Sequence, residues 1–117
     1  MHQLGRQLIL ELYGCDADML ADPQGIRRAM EAAATAMGAT IVQSNFHHFS
    51  PLGVSGVVVI MESHLTIHSW PEHQYAAIDI FTCGDIEMQK AVDYLIEQLS
   101  AQQHSLQEIK RGLIGKP

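Results

Sequence analysis

One short stretch, VVVIMESHLTIHSWPE, concentrates side chains that can do chemistry. Its reactive residues are Glu62, Ser63, His64, His68 and Glu72. A serine hydroxyl becomes a nucleophile when a base and an orienting acid accompany it. Imidazole and carboxylate groups also bind metal ions. These residue types therefore allow a covalent nucleophile, an acid–base pair or a metal site, and the spacing has to separate the alternatives.

A serine hydrolase would take Ser63 as nucleophile, His68 as base and Asp79 or Glu72 as the orienting acid. The Gly-x-Ser-x-Gly turn that exposes such a serine in many hydrolases is missing from the sequence. Residue types alone therefore leave an enzyme as an open alternative.

A metal site would draw on histidines, an acid and a thiol. The candidate ligands are His47, His48, His64, His68, His73, Glu72 and Cys83. The sequence has no His-Glu-x-x-His and no paired Cys-x-x-Cys. The i, i+4 pair of His64 and His68 points to a metal on a helix, and Pro71 opposes a helix there. We predict that the protein holds no metal.

Composition restricts the class of protein. The chain has 117 residues, the size of one domain, and a domain this small has difficulty enclosing a deep pocket alone, which favours a homo-oligomer. A net charge of −6 without a basic cluster argues against nucleic acid and favours a cationic ligand.

The apolar run Val57–Met61 is too short to cross a membrane, and the first residues have no signal-peptide pattern. We expect a cytoplasmic protein in which Cys15 and Cys83 remain thiols.

Hydrophobic periodicity predicts the elements that position the reactive residues. The predicted elements are strand 4–13, a helix from Asp22-Pro23 to Gly38, strands in ATIVQSNFHHF, VVVIM, LTIHSW and YAAIDIFTC, a helix in IEMQKAVDYLIEQLSAQ and an edge strand in QHSLQEIKRG. The order β-α-β-β-β-β-α-β predicts an α+β two-layer sandwich, an antiparallel sheet with helices on one face.

Residues 64–70 are the centre of this prediction. If they are extended, alternate side chains share a face. The first face then carries His64, Thr66, His68 and Trp70, and the second carries Leu65, Ile67 and Ser69. The sequence therefore predicts a strand with one titratable face and one buried face.

The block ESHLTIH followed by Ser-Trp-Pro-Glu resembles the prokaryotic S-adenosylmethionine decarboxylase proenzyme family. Further matching segments are Gly5-Arg6, Gly38-Ala39-Thr40, Phe46-His47, Gly53-Val54-Ser55-Gly56-Val57, Asp79 and Phe81-Thr82-Cys83-Gly84. The likeness covers most of the chain, and its central block is long. One departure is Ser69, where threonine is more familiar.

The resemblance implies that Ser63 is the precursor of a covalent pyruvoyl cofactor. In such proteins the serine hydroxyl attacks the preceding carbonyl, here that of Glu62, and the resulting ester eliminates to a dehydroalanine that hydrolyses to the pyruvoyl group. The single domain 1–117 is thereby cut between Glu62 and Ser63 into two chains. The pyruvoyl carbonyl then forms a Schiff base with the substrate amine. The lysines Lys90, Lys110 and Lys116 all lie outside the reactive stretch, which fits a decarboxylase without PLP.

The resemblance also assigns roles to other residues. It implies that His68 and Ser55 assist self-cleavage and that Cys83 is the acid that reprotonates the substrate carbon. Glu72 matches a family position that binds ribose hydroxyls. Phe49 and Trp70 are the candidates to flank the adenine or the sulfonium, and Phe49 is the firmer of the two by resemblance. The family implies a homodimer with shared active sites and a product used in spermidine synthesis. Two rivals remain: a pyruvoyl paralogue that takes arginine or ornithine, and a metal-binding dimer that never cleaves.

Overall fold

The computed structural model describes residues 2–49, 52–84 and 86–115, which form one antiparallel sheet with helices beside it. The elements are β1 (His2–Tyr13), α1 (Ala17–Leu20), α2 (Pro23–Ala36), β2 (Thr40–His48), β3 (Val54–Met61), β4 (Ser63–Trp70), the 3₁₀ turn η1 (Pro71–His73), β5 (Tyr75–Thr82), α3 (Met88–Gln98) and β6 (Gln103–Ile114). The sheet order is β2-β3-β4-β5-β1-β6. The predicted order of elements is confirmed, and the sequence prediction missed the short elements α1 and η1.

Helix α2 begins and ends at the residues that its sequence signals indicate. The Asp22 side chain accepts a hydrogen bond from the backbone N–H of Gln24 at 3.1 Å, and Pro23 occupies the first turn, where its missing N–H costs nothing. Gly38 follows the helix with φ +87°, a left-handed conformation that glycine adopts without steric cost. The buried residues of α2 recur at helical spacing: Ile26, Ala29, Met30, Ala33 and Ala34.

The core lies between the helices and one face of the sheet. The two central strands contribute Leu65, Ile67, Ile78 and Ile80, each 1% exposed or less. Side chains of β4 alternate as predicted, since His68 and Trp70 are exposed on the opposite face. No described element covers that opposite face, which is called the open face below. The two-layer α+β prediction is therefore confirmed.

Ser69 fixes the end of β4 against the helix layer. Its hydroxyl donates to the Leu20 carbonyl oxygen at 2.7 Å and accepts from the Val54 N–H at 2.9 Å. The side chain is buried, so these two bonds satisfy three polar groups that water does not reach. Serine at this position therefore ties α1 and the start of β3 to the strand that carries His68.

None of the helices in the described residues is long and apolar enough to span a bilayer.

Candidate active site

Ser63 lies at the start of β4, directly after a tight hairpin turn. Ile60 of β3 pairs with Ser63, which leaves Met61 and Glu62 at the exposed tip. On its other side Ser63 pairs with Thr82, the last residue of β5. Hairpin geometry therefore presents the Glu62–Ser63 peptide bond at the rim of the sheet.

The Ser63 backbone has a φ of 147°, a value that residues with side chains rarely adopt. Such conformations cost on the order of 1–3 kcal/mol and persist where the surrounding structure imposes them. Ser63 pairs with Ile60 and with Thr82 despite this conformation. The strain is located at the bond that the family resemblance predicts to be cleaved.

A thiol lies next to the serine hydroxyl. The Ser63 Oγ and Cys83 Sγ atoms are 3.7 Å apart, within range of a weak hydrogen bond involving sulfur. Cys83 follows β5 immediately and is partly buried. The β4–β5 register therefore brings together the predicted cofactor precursor and the predicted proton donor.

A second group of predicted residues surrounds a cleft elsewhere on the sheet. Ser55 and His68 are register partners, and Ser55 Oγ lies 2.8 Å from His68 Nδ1. The cleft has a volume of about 260 Å³. Its lining residues are Phe49, Leu52, Gly53, Ser55, His68, Ser69, Trp70 and Glu72. The five residues predicted to assist self-cleavage or to bind the nucleoside therefore lie together.

The two groups are far apart within one protomer. Ser63 and His68 are separated by five positions of extended chain, which corresponds to roughly 16 Å at about 3.3 Å per residue. A hydrolase triad of Ser63 with His68 is therefore not assembled in one protomer. His68 is oriented by the Ser55 hydroxyl instead, and Asp79 contacts Thr66 and Gln7 at 3.4 Å.

Two tyrosines that sequence reasoning missed extend the aromatic surface beside Trp70. The Trp70 and Tyr75 rings stack with centroids 5.3 Å apart, and Tyr75 stacks on Tyr13 at 5.4 Å. The Tyr75 hydroxyl donates to Glu11 at 2.8 Å, and burial together with this carboxylate raises the pKa of Tyr75 to about 12. Buried and exposed side chains alternate along β1 and β5. This alternation is the sequence pattern that could have predicted both rings on the open face.

The other cysteine and two of the other histidines make packing contacts. Cys15 is fully buried, and burial raises the pKa of its thiol to about 11, as expected for a core residue. The His64 ring packs on Phe81, with centroids 5.8 Å apart, and the His47 ring packs on Phe49 at 4.4 Å. Within the described ranges, no three His, Cys, Asp or Glu side chains are grouped to hold a metal ion.

Comparison with known proteins identifies the family. The model of the S-adenosylmethionine decarboxylase family matches residues 6–112. The chain belongs to the S-adenosylmethionine decarboxylase family. The resemblance drawn from the ESHLTIH block is thereby confirmed.

Individual members of the S-adenosylmethionine decarboxylase family resemble the chain over its length. The S-adenosylmethionine decarboxylase proenzyme of Caldicellulosiruptor saccharolyticus is 51% identical over 118 aligned residues, covering 100% of this chain and 95% of the relative. That of Thermotoga petrophila is 54% identical, covering 96% and 87%. The crystal structure of the adenosylmethionine decarboxylase from Aquifex aeolicus has a TM-score of 0.93 at 36% identity, covering 100% and 98%. These names do not favour the arginine or ornithine alternative.

Proposed function

We propose that this protein decarboxylates S-adenosylmethionine, using a pyruvoyl group that it makes from Ser63. The product would be the aminopropyl donor for spermidine synthesis. The observation that carries the proposal is the contact between Ser63 Oγ and Cys83 Sγ at the end of a strained hairpin. Relatives named as proenzymes support a processing step.

Self-cleavage follows from the chemistry of Ser63 and the bond before it. The Oγ atom attacks the Glu62 carbonyl carbon, the C–N bond breaks, and an ester forms with a free amino group on residue 63. Loss of the Cα proton then breaks the Cβ–O bond and releases Glu62 as a carboxylate. Water adds to the remaining dehydroalanine and ammonia leaves, which gives the pyruvoyl group. Strain at Ser63 favours this route because it raises the energy of the uncut chain.

The residues around Ser63 fit such a group. Position 63 is half-buried at the sheet rim, where a new chain terminus fits without displacing the core, and a thiol adjoins it. When bound, the pyruvoyl group supplies an electron-withdrawing carbonyl that condenses with the substrate amine. Cys83 Sγ holds a proton beside this position and delivers it to the substrate α-carbon after CO₂ has left.

The cleft around His68 suits the nucleoside part of the substrate. Glu72 is an exposed carboxylate that can accept hydrogen bonds from ribose hydroxyls. Phe49 is 50% exposed and Trp70 is 40% exposed, so each ring keeps accessible surface for adenine or for the sulfonium cation. The net charge of −6 also attracts a cationic substrate.

A homodimer would bring the two groups together. We propose that the Ser63–Cys83 pair of one protomer faces the Ser55–His68 cleft of a second copy, because about 16 Å separates them within one chain. The uncovered open face, which carries exposed Val59 and Ile109, supports pairing of protomers. A reducing compartment such as the cytoplasm suits a catalytic thiol, and we place the enzyme there.

Intact mass under denaturing conditions tests the proposal first. Two fragments that meet at Glu62/Ser63 are expected, the second without its amino nitrogen and with a ketone that hydroxylamine traps. An assay of CO₂ release with S-adenosylmethionine, arginine and ornithine then tests the substrate. One uncut chain after long incubation would contradict self-processing, and release from arginine or ornithine alone would contradict the substrate assignment.

A further inference from the structure

Thr82 carries a buried hydroxyl without a hydrogen-bond partner. The residue is 1% exposed. Within residues 2–49, 52–84 and 86–115, no group forms a hydrogen bond with its Oγ1 atom. Buried side-chain hydroxyls nearly always have a partner, because removing them from water without one destabilises the fold. A valine of similar shape would avoid this cost. The hydroxyl at position 82 therefore calls for an explanation other than packing.

The position of Thr82 suggests what the hydroxyl serves. Thr82 precedes Cys83 and is the register partner of Ser63. Register partners in antiparallel strands have Cβ atoms about 5 Å apart. A cavity of about 440 Å³ adjoins Thr82, lined also by Gly5, Arg6 and Gly84. Thr82 thus lies beside Ser63 in the sheet, at cross-strand distance from the residue whose hydroxyl attacks, and it also lines a cavity.

Neighbouring polar groups are engaged elsewhere in the uncut chain. The Arg6 guanidinium donates to the Ile86 carbonyl oxygen at 3.1 Å, and Ser63 Oγ lies against Cys83 Sγ. Neither pairs with Thr82 Oγ1. The hydroxyl is therefore available as a donor for a partner that arises during the reaction.

We propose that Thr82 is a further catalytic residue of self-cleavage. Its hydroxyl donates a hydrogen bond to the Glu62 carbonyl oxygen as that oxygen gains negative charge during attack by Ser63. A bond that is unmade in the uncut chain and made in the transition state lowers the barrier by its full strength. This inference rests on the self-cleavage proposed above, and it explains why a destabilising hydroxyl stands at this position.

Substitution at Thr82 separates catalysis from packing. Thr82→Val removes the hydroxyl and keeps the shape, whereas Thr82→Ser keeps the hydroxyl. Each full-length chain is made in a cell-free synthesis that is stopped at intervals, and intact mass gives the cut fraction. We expect Thr82→Val to cut at least about tenfold more slowly than wild type, and Thr82→Ser within about threefold. Combined with Ser63→Ala, which stays uncut, Thr82→Val should leave the melting temperature equal or higher.

Three results would overturn the inference. Cutting of Thr82→Val at the wild-type rate would show that the hydroxyl is not used. Equal slowing in Thr82→Val and Thr82→Ser, or a lower melting temperature for the uncut Thr82→Val chain, would show that position 82 matters through packing. Failure of the wild type to cut would instead refute the proposed function and this inference with it.

Discussion

Ser63 Oγ and Cys83 Sγ lie 3.7 Å apart although 20 positions separate the two residues in sequence. The β4–β5 hairpin creates this contact, because Ser63 begins one strand and Cys83 follows the end of the other. One place on the sheet can therefore serve both phases of the proposed reaction, self-cleavage and decarboxylation. In the proposed reaction, the Ser63 hydroxyl acts before cleavage and the Cys83 thiol acts on substrate afterwards.

Replacement of Cys83 should separate these phases. Cys83→Ala should still cut at Glu62/Ser63, because the hydroxyl and the strained backbone remain. It should lose about 100-fold or more in turnover per cut chain, since general acids contribute on the order of 10²–10⁴-fold. Intact mass measures the first effect, and CO₂ release from S-adenosylmethionine measures the second.

Cys15→Ala is the matched control for this thiol. Cys15 is fully buried and lies outside both groups of site residues, so its replacement should leave turnover per cut chain near that of wild type. Normal activity in Cys83→Ala would refute the assignment of Cys83 as proton donor.

Short-range patterns predicted the fold well. Asp22-Pro23 and Gly38 mark the ends of α2, and the alternation of Leu65 and Ile67 gives the buried face of β4, because these signals depend on local geometry alone. Helix α1 was missed because a helix of four residues is too short for a periodic pattern.

The contacts of the site depend on register, which the sequence does not encode locally. The pairing of Ser55 with His68 and the contact of Ser63 with Cys83 each join different strands. A family resemblance could name these four residues, but not the separation of about 16 Å between the two pairs. Thr82 escaped notice because only a register and a burial value reveal its unpaired hydroxyl.

Mixed dimers should restore cutting if active sites are shared. Ser63→Ala and His68→Ala chains with different tags should each stay uncut as homodimers. In a mixed dimer, Ser63 of the His68→Ala chain faces the intact His68 of the other copy. We therefore expect the His68→Ala chain, and no other, to be cut in tag-purified mixed dimers, as read by intact mass. Mixed dimers that remain uncut would contradict sharing, and cutting in the His68→Ala homodimer would contradict the role of His68 in self-cleavage.

Removal of the Ser69 hydroxyl should destabilise the fold. In Ser69→Ala the Leu20 carbonyl and the Val54 N–H both lose their buried partner. The free energy of unfolding should fall by about 2 kcal/mol, measured by urea unfolding in the uncut Ser63→Ala background. Ser105→Ala on the exposed strand β6 is the control and should change it by less than about 0.5 kcal/mol. Similar values for both variants would show that the two Ser69 bonds contribute little.

Stability should decline at alkaline pH, partly through Cys15. Burial raises the pKa of Cys15 from 9.0 to about 11, so the unfolded chain releases this proton first as pH rises. The contribution is fully present below pH 9 and is lost as pH rises towards the folded pKa. Between pH 9 and pH 10 it should reduce the free energy of unfolding by about 1 kcal/mol. Urea unfolding of Ser63→Ala at both pH values, with and without Cys15→Ala, measures this loss. The Cys15→Ala chain should show a smaller decline, and an equal decline in both chains would contradict the assignment to Cys15.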